Sequence, residues 1–305
     1  MAVEKSREVL RLLERLAVEH LGWLMRVHSA LIFPDRAEAP PCAPDSPLPG
    51  LCAEACGQTD QLSGLLRQRA IMHGLAQQLL EQRAKGADPA AYQAFMAAVD
   101  AYVREARRVE AHFRRELIET DPLTGVHNRQ GMMREIRREW TRAMRTGRPV
   151  CVAVADLDFF KHVNDTYGHL AGDKVLCLAA RFFVRRLRPY DQVFRYGGEE
   201  FLFCLPDTDA DTARAVLDRL RGLMARVPVV LDCGTRVPVT CSIGVAQMVP
   251  GRSVQEAIAA ADRALYAAKD AGRNRVMVAA PPADAASPAP EVIAARLHPV
   301  GAVRH

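Results

Sequence analysis

The spacing of apolar residues changes near residue 120, and this change constrains the fold more than any other feature of the sequence. Before it, apolar side chains recur at helical spacing in three stretches, at about 3–31, 60–84 and 89–118. Prolines are concentrated between residues 33 and 50, where a helix could not continue. Residues 1–118 are therefore predicted to form an all-α bundle whose last helix leads directly into the next domain.

After residue 120, short apolar runs rich in β-branched residues alternate with helical stretches. The run VCVAVA at 150–155 has the length and composition of a buried strand. Further strands are predicted on both sides of a Gly197-Gly198 turn and at about 238–247 and 274–279, with helices at about 173–187, 209–226 and 254–271. This pattern predicts an α+β chain in which an α/β domain at 119–280 follows the helical bundle. Residues 281–305 are rich in alanine and proline and are predicted to be disordered.

Composition and charge restrict the kinds of protein that this chain can be. Hydrophobic residues make up 49% of its 305 residues, enough to build cores in two domains. The net charge of +5 suits a polyphosphate substrate and is too weak and dispersed to predict nucleic-acid binding. No run approaches the roughly 20 apolar residues of a membrane span, and the first residues lack the apolar core of a signal peptide. The eight cysteines are scattered and fit buried thiols in a reducing compartment, so we expect a cytoplasmic protein.

Four acidic residues lie at predicted strand ends. Asp156 and Asp158 come directly after the apolar run, and Glu199 and Glu200 follow the glycine turn. If the two strands are neighbours, three or four carboxylates meet at one end of the sheet. Such a group can hold magnesium against a nucleoside triphosphate, because Mg²⁺ takes few carboxylates and completes its shell with phosphate oxygens. The alternative is that each of them is a solvated loop residue.

Basic residues accompany these carboxylates. Lys161 follows the two aspartates closely enough to reach a phosphate, and Lys269 and Arg273 are four residues apart in a predicted helix at 254–272. That spacing puts both cations on one helix face. There they could neutralise the charge of a departing pyrophosphate. Taken alone, Lys269 and Arg273 also fit a solvated helix end.

Five ordered motifs carry a resemblance to a known family. They are DPLTGVHNR at 121–129, DLDFFKHVND at 156–165, YGHLAGD at 167–173, RYGGEEF at 195–201, and ADRALYAAK at 261–269 followed by GRN at 272–274. Together they closely resemble the GGDEF family of diguanylate cyclases over residues 119–280. The resemblance implies a palm-like domain, similar to that of adenylyl cyclases, with a central mixed and mainly antiparallel sheet.

The resemblance also assigns roles to the residues that match the motifs. Metal ions, two Mg²⁺ or Mn²⁺ per GTP site, would be bound by Asp156, the Leu157 carbonyl, Glu199 and Glu200. Glu199 or Glu200 would be catalytic and deprotonate the 3′-hydroxyl of GTP. The implied substrate-binding residues are Asn164 and Asp173 on guanine, Phe159 and Phe160 through their backbone N–H groups, and Lys161, Arg195, Lys269 and Arg273. His169 would lie beside the nucleotide or have a structural role.

The reaction implied by the resemblance joins two GTP molecules into cyclic di-GMP. Each protomer would bind one GTP, so the catalytic unit is expected to be a homodimer. Arg188-Pro189-Tyr190-Asp191 resembles the family's Arg-x-x-Asp site, where the product binds and inhibits, and Arg219 is expected to contribute. Arginine suits phosphates and guanine edges because its planar group donates two parallel hydrogen bonds. The alternative for Arg188 and Asp191 is an ion pair at a helix end.

Three residues of the helical part resemble the ligands of the chemoreceptor zinc-binding domain. His20, Cys52 and His73 match a set of three histidines and one cysteine, which suits tetrahedral zinc. The position of the remaining histidine holds Arg69, whose charge would repel a metal ion. Either zinc binds through these three ligands and a substitute such as Cys56, His28 or water, or the bundle has lost its metal and only dimerises. In both cases the bundle is expected to regulate the cyclase.

Two other functions compete with the cyclase. A degenerate domain could bind GTP or cyclic di-GMP without catalysis, and the helical half could act as a signalling partner. The intact metal, base and cation positions argue against the first of these. An adenylyl cyclase is disfavoured because the carboxylate of Asp173 can accept hydrogen bonds from the N1–H and the amino group of guanine, which adenine does not offer.

Overall fold

A computed structural model describes residues 2–33, 59–82, 88–232 and 234–280. The described residues up to Gly125 form one compact unit, and those from Val126 onward form another. Cys42, Cys52, Cys56 and Cys233 lie outside the described residues, as does the tail at 281–305 that was predicted to be disordered.

The first unit is helical, as predicted. It consists of α1 (Ala2–Ile32), α2 (Thr59–Gln82) and α3 (Pro89–Glu119). The helix α3 begins with Pro89 after Asp88, whose side chain accepts a hydrogen bond from the backbone N–H of Ala90, so both residues favour a helix start here. Leucines, Trp23 and two phenylalanines from the three helices form the buried core. Over the described ranges, no helix has both the length and the apolar character needed to cross a membrane.

The second unit is built on a five-stranded sheet. Its strands are β1 (Val150–Leu157), β2 (Gln192–Arg195), β3 (Glu200–Pro206), β6 (Cys241–Gln247) and β7 (Val276–Val278), in the order β2-β3-β1-β6-β7. Among the described strands of this sheet, β6 and β7 alone pair in parallel, so the sheet is mixed and mainly antiparallel, as predicted. Two short strands, β4 (Val229–Val230) and β5 (Arg236–Val237), form a separate ribbon. All eight residues of the central strand β1 are buried, which explains its continuous apolar sequence.

The described part of the second unit also contains five helices. They are α4 (Arg129–Thr146), α5 (Phe160–Tyr167), α6 (His169–Arg186), α7 (Ala210–Arg226) and α8 (Val254–Asp270). Apolar residues of α4 and α8 form one core cluster with β1, β3 and β6. The ring of Phe183 on α6 packs edge to face against Phe201 and Phe203 of β3, with centroids 5.2 and 5.1 Å apart.

Two of these helices, α4 and α5, are additional to the predicted elements. Charged residues dominate α4, but Met132, Ile136, Trp140 and Ala143 recur along it at helical spacing and pack in the core. Asn128 caps its start by accepting hydrogen bonds from the backbone N–H groups of the second and third helical residues, at 2.9 and 3.2 Å. One part of the motif at 121–129 thus has a structural role.

Three described cysteines, Cys151, Cys204 and Cys241, are buried free thiols within the sheet. Burial raises the pKa of Cys151 and of Cys241 to about 12, and it raises the pKa of Cys204 as well. These cysteines therefore stay protonated near neutral pH and act as small apolar residues.

The helix α8 lies directly on β6, and Gly244 makes this contact possible. A Cβ atom at position 244 would overlap the backbone of Ala261, Ala264 and Leu265. A glycine in the middle of a strand often marks such a close approach of backbones. This contact fixes the height of α8 above the sheet and hence the position of Lys269 near its end.

We predict that Gly244→Ala destabilises the second unit by at least about 2 kcal/mol, because two backbones would have to move apart. Denaturant unfolding of the purified protein measures this change. Gly222→Ala is the matched control, since a Cβ there meets nothing within 4 Å in the helix α7. It should stabilise the protein by about 0.5–1 kcal/mol. Equal stability of Gly244→Ala and the wild type would contradict the packing described here.

Candidate active site

The pairing of β1 with β3 brings two groups of carboxylates together. Asp156 lies directly opposite Glu200 in the antiparallel register, and the backbone N–H of Leu157 donates to the carbonyl of Glu199 at 3.3 Å. On the other side of β1, Asp156 lies opposite Ser242 of β6. The carboxylate site was predicted on the condition that these two strands are neighbours. The structure meets this condition.

The turn between β2 and β3 holds the two glutamates in place. The N–H groups of Tyr196 and Gly197 donate to the carbonyl of Glu200 at 2.9 and 3.2 Å. A side chain at position 197 would overlap the carboxylate of Glu200, so the glycine leaves room for it. Arg195, predicted to bind substrate, donates to the carbonyl of Gly198 at 2.9 Å. The structure thus places its guanidinium on the turn itself.

The three carboxylates at this strand end interact electrostatically. Burial raises the pKa of Asp156, whose side chain is only slightly exposed, while the ammonium of Lys269, 2.8 Å from Oδ2, works in the opposite direction. Burial also raises the pKa of Glu199 and of Glu200, and the charge of Asp156 raises both further. These groups therefore form one cluster of negative charge, and Lys269 forms an ion pair with it.

This cluster fits a divalent metal ion in its chemistry. Carboxylate oxygens are the hard ligands that Mg²⁺ prefers, and a cation among them would offset their repulsion. Within the described part of the chain, no three His, Cys, Asp or Glu side chains are arranged around a single metal position.

Asp262 was not among the predicted site residues, although its charge raises the pKa of Glu200. It lies on α8, seven residues before Lys269. Seven residues are two helical turns, so both side chains are on one face of α8. This spacing was available in the sequence and could have identified Asp262.

Asp158, in contrast, does not offer its oxygens to the cluster. Its charge raises the pKa of Asp156, so it lies nearby. However, its carboxylate accepts hydrogen bonds from Thr240 Oγ1 at 2.7 Å, Ser242 Oγ at 2.7 Å and the backbone N–H of Asn274 at 3.1 Å. Of the three or four carboxylates expected at this strand end, Asp158 is the one whose oxygens already accept hydrogen bonds from three protein donors.

The start of α5 provides a site of positive potential next to Asp156. Phe159 precedes the helix with a left-handed backbone (φ 56°), and its ring is exposed. Phe160 is buried and Lys161 is exposed. The first N–H groups of a helix have no partner within it and carry a partial positive charge, which suits an anion such as phosphate.

Arg273 lies at this helix start but not on the predicted helix. The helix α8 ends at Asp270, and the chain turns at Gly272 (φ 106°) before Arg273 (φ 61°). The prediction that Lys269 and Arg273 share a helix face is therefore wrong, because the left-handed residues end the helix. The guanidinium carbon of Arg273 instead lies 4.7 Å from the centre of the Phe159 ring. Its charge still lowers the pKa of Asp156.

The two residues predicted to bind guanine lie on adjoining helices. Asn164 is on α5, and Asp173 and the exposed His169 are on α6. A Cβ at Gly172 would overlap Oδ1 of Asn164, so the glycine lets this side chain lie against α6 next to Asp173. Asn164 is half-buried and Asp173 is exposed, and both can therefore contact a ligand.

The predicted product site lies in the turn between α6 and β2. The backbone N–H of Arg188 donates to Oδ2 of Asp191 at 3.0 Å, and the N–H of Asp191 donates back to the Arg188 carbonyl at 3.0 Å. Arg219 on α7 lines a cleft of about 250 Å³ together with Arg185 and Arg186. These two arginines were not predicted, although the run of arginines before Arg188 in the sequence could have indicated them.

His20 and His73 meet inside the helical unit. Their Nε2 atoms are 3.2 Å apart, and Nδ1 of His20 lies 2.8 Å from the carbonyl of Leu16. Burial lowers the pKa of both histidines, that of His73 to about 4, and the charge of Arg69 lowers both further. Both imidazoles are therefore neutral at physiological pH.

The structure does not place the other proposed zinc ligands beside His20 and His73. Cys52 and Cys56 lie outside the described residues. His28 is engaged elsewhere, with Nε2 3.0 Å from the hydroxyl oxygen of Tyr92. Among the described residues, His20 and His73 are thus the two proposed zinc ligands that lie together.

Comparison with known proteins places these features in a family. A model of the family described as "Diguanylate cyclase, GGDEF domain" matches residues 118–275. The chain is 36% identical over 237 residues to the diguanylate cyclase DgcP of Pseudomonas aeruginosa, an alignment that covers 75% of this chain and 35% of that protein. The chain spans about a third of the length of the curated relatives that it matches.

Solved structures give the same result. The chain is similar to the coiled coil and GGDEF domain of DgcB from Caulobacter crescentus, determined with c-di-GMP (TM-score 0.54, 33% identity, 60% of this chain and 98% of that one). It is also similar to the diguanylate cyclase SiaD from Pseudomonas aeruginosa, determined with its activator SiaC (TM-score 0.52, 32% identity, 83% of this chain and 96% of that one).

Proposed function

The chain belongs to the diguanylate cyclase GGDEF domain family, and from this premise we propose that it is an active diguanylate cyclase of the cytoplasm. The reaction joins two GTP molecules into cyclic di-GMP and releases two pyrophosphates. The observation that carries this proposal is the register of β1 and β3, which sets Asp156 opposite Glu200 with Lys269 beside them. The sequence Gly-Gly-Glu-Glu-Phe at this turn keeps every acidic residue that the reaction needs.

Different residues around this strand end bind the guanine base, the triphosphate and the metal ions of GTP. Asn164 and Asp173 hold the guanine base, whose N1–H and amino group both donate to a carboxylate. The start of α5, with Lys161, Lys269 and Arg273, binds the triphosphate and stabilises the charge on the departing pyrophosphate. Mg²⁺ or Mn²⁺, two ions per site bound by Asp156, the Leu157 carbonyl, Glu199 and Glu200, would supply further positive charge at the phosphates.

One of the two glutamates accepts the proton of the 3′-hydroxyl. The raised pKa of Glu199 and of Glu200 makes each a stronger base than an ordinary glutamate. The 3′-oxygen then forms a bond to the α-phosphorus of the other GTP, and the bond from this phosphorus to the β-phosphate oxygen breaks. Each of the two GTP molecules is attacked once, so two phosphodiester bonds form.

This stoichiometry requires a homodimer. One unit has one pair of guanine-binding residues, and two GTP molecules must face each other for the ring to close. The helix α3 ends at Glu119, two residues before the first family motif at Asp121. We infer that the helical unit dimerises and regulates catalysis by altering how the two GTP sites face each other.

Product inhibition is proposed at the Arg188–Asp191 turn. Arg188 and Arg219 are exposed, and the cleft beside them adds Arg185 and Arg186. Several arginines in one place suit the two phosphates and the guanine edges of cyclic di-GMP. Asp191 is held by the backbone of Arg188, which leaves the Arg188 side chain available for a ligand.

Zinc binding by the helical unit is proposed on the geometry of His20 and His73. Two nitrogens bound to tetrahedral zinc at about 2.0–2.1 Å lie about 3.3 Å apart, close to the 3.2 Å observed between the two Nε2 atoms. The contact of His20 Nδ1 with the Leu16 carbonyl directs Nε2 toward the pair, as is usual for zinc-bound histidine. Cys52 would be a third ligand. Arg69 opposes binding by its charge, so we expect a lower affinity than a histidine at this position would give.

For the cyclase activity, we predict that wild-type protein incubated with GTP and Mg²⁺ forms cyclic di-GMP, and that Glu200→Gln lowers the rate by about 10²–10⁴-fold, because the amide cannot accept the proton. Nucleotide separation by chromatography measures the product. Asp211→Asn is the matched control, since this exposed carboxylate begins α7 at the opposite end of β3. A folded Glu200→Gln variant with the wild-type rate would refute the proposed site, and an inactive wild type would favour a domain that only binds nucleotide.

For product control, we predict that Arg188→Ala raises the concentration of cyclic di-GMP needed for half inhibition by at least about tenfold, as expected for losing charge-assisted hydrogen bonds. The activity without added product should not fall. Arg181→Ala serves as control, because this exposed arginine on α6 lies outside the turn and the cleft. Unchanged inhibition of Arg188→Ala would exclude the turn as the product site.

For zinc, we predict one bound ion per chain, measured by elemental analysis after purification. His20→Ala and His73→Ala should lose it, and Arg69→His should bind it more tightly because a repelling charge becomes a ligand. His112→Ala, a half-buried histidine elsewhere in α3, should keep its zinc. Absence of zinc from both the wild type and Arg69→His would exclude a zinc site here.

A further inference from the structure

Asp158 joins three segments of the second unit at one buried point. Its side chain is 6% exposed. Ser242 on β6 donates to Oδ1 at 2.7 Å, while Thr240 before β6 and the backbone N–H of Asn274 donate to Oδ2 at 2.7 and 3.1 Å. The backbone N–H of Asp158 also donates to the carbonyl of Thr240 at 2.9 Å. The carboxylate is thus fixed by donors from segments far apart in the sequence.

The segment tethered at Asn274 has an unusual backbone. Gly272, Arg273 and Asn274 have φ values of 106°, 61° and 46° in succession. A residue other than glycine in this region costs about 1–2 kcal/mol, so two in a row persist only when their surroundings hold them. Here the hydrogen bond to Asp158 holds the backbone, and Nη1 of Arg221 on α7 donates to the side chain of Asn274 at 2.9 Å.

This strained segment determines where Arg273 points. Its guanidinium lies over the Phe159 ring, at the start of α5 and close enough to Asp156 to lower the pKa of that residue. Arg273 itself is exposed, so its position follows from the turn that carries it. A segment that relaxed to ordinary φ values would move the guanidinium away from the start of α5.

We propose that Asp158 is a positioning residue that holds Arg273 at the triphosphate-binding site of GTP. The inference rests on the proposed function, since it takes GTP as the ligand of that site. Asp158 thereby differs from Asp156, two residues earlier in the same motif. Asp156 presents its carboxylate to the cluster with Glu199 and Glu200, whereas Asp158 binds Ser242 of β6 through Oδ1 and fastens the segment after α8 through Oδ2.

The test is a double-mutant cycle on Asp158→Asn and Arg273→Ala. An amide oxygen in the place of Oδ2 carries no charge, so it accepts more weakly from the Asn274 N–H than the carboxylate does, and the tether weakens. Each single variant should raise the KM for GTP about tenfold, the effect of losing one charge-assisted hydrogen bond, with kcat changed less than about threefold. The double variant should be no worse than Arg273→Ala alone, because Asp158 acts through Arg273.

Two further variants separate positioning from a general loss of stability. Ser242→Ala removes a different hydrogen bond, of 2.7 Å, from the same carboxylate and leaves the tether to Asn274, so it should keep KM within about twofold of the wild type. Arg221→Ala releases Asn274 from the α7 side and should raise KM without adding to Arg273→Ala. If Asp158→Asn fails to fold, Arg221→Ala completes the cycle in its place.

Two results would overturn the proposal. One is a double variant whose KM rises by the product of the increases in the two single variants. The other is an Asp158→Asn variant in which kcat falls and KM is unchanged. GTP affinity measured by calorimetry in the presence of EDTA gives a second readout that needs neither metal nor turnover. A wild type that makes no cyclic di-GMP would refute the proposed function. In that case, the GTP affinities of the same single and double variants, measured by calorimetry, would still show whether Asp158 acts through Arg273 on GTP binding.

Discussion

The antiparallel pairing of β1 with β3 sets Asp156 against Glu200, and the remaining features of the site depend on this register. Side chains alternate between the faces of a strand, so a shift of one residue would turn Asp156 to the other face and separate it from the glutamates. The buried residues of β1, which fit between helices on both faces of the sheet, prevent such a shift. Core packing thus determines where the carboxylates meet.

This arrangement costs stability. Three carboxylates whose pKa values are raised by burial and by neighbouring carboxylates oppose folding at neutral pH, since the unfolded chain would ionise them more easily. The ion pair of Asp156 with Lys269 offsets part of this cost. The left-handed residues after α8 add backbone strain at the same end of the sheet. Concentration of charge and strain in one place is typical of functional sites, where the surrounding structure maintains both.

The sequence predicted those features that depend on local pattern, and it missed those that depend on distant contacts. The apolar run of β1 and the glycine turn before Glu199 were sufficient to predict the sheet and the meeting of its carboxylates. The role of Asp158 was not predictable, because its donors are 82 to 116 residues away in the sequence. The helical spacing of Lys269 and Arg273 was misleading, since local pattern does not reveal that α8 ends at Asp270. The helix α4 could have been predicted from its apolar spacing and its Asn128 cap.

The most direct test of the central claim is a crystal structure of the protein with Mn²⁺ and 3′-deoxy-GTP, which binds but cannot react because it lacks the attacking hydroxyl. Anomalous scattering would locate the metal independently of the protein density. We expect manganese bound by the carboxylate of Asp156, the triphosphate at the start of α5, and guanine between Asn164 and Asp173. Manganese and nucleotide bound away from Asp156 and the Glu199–Glu200 turn would contradict the account.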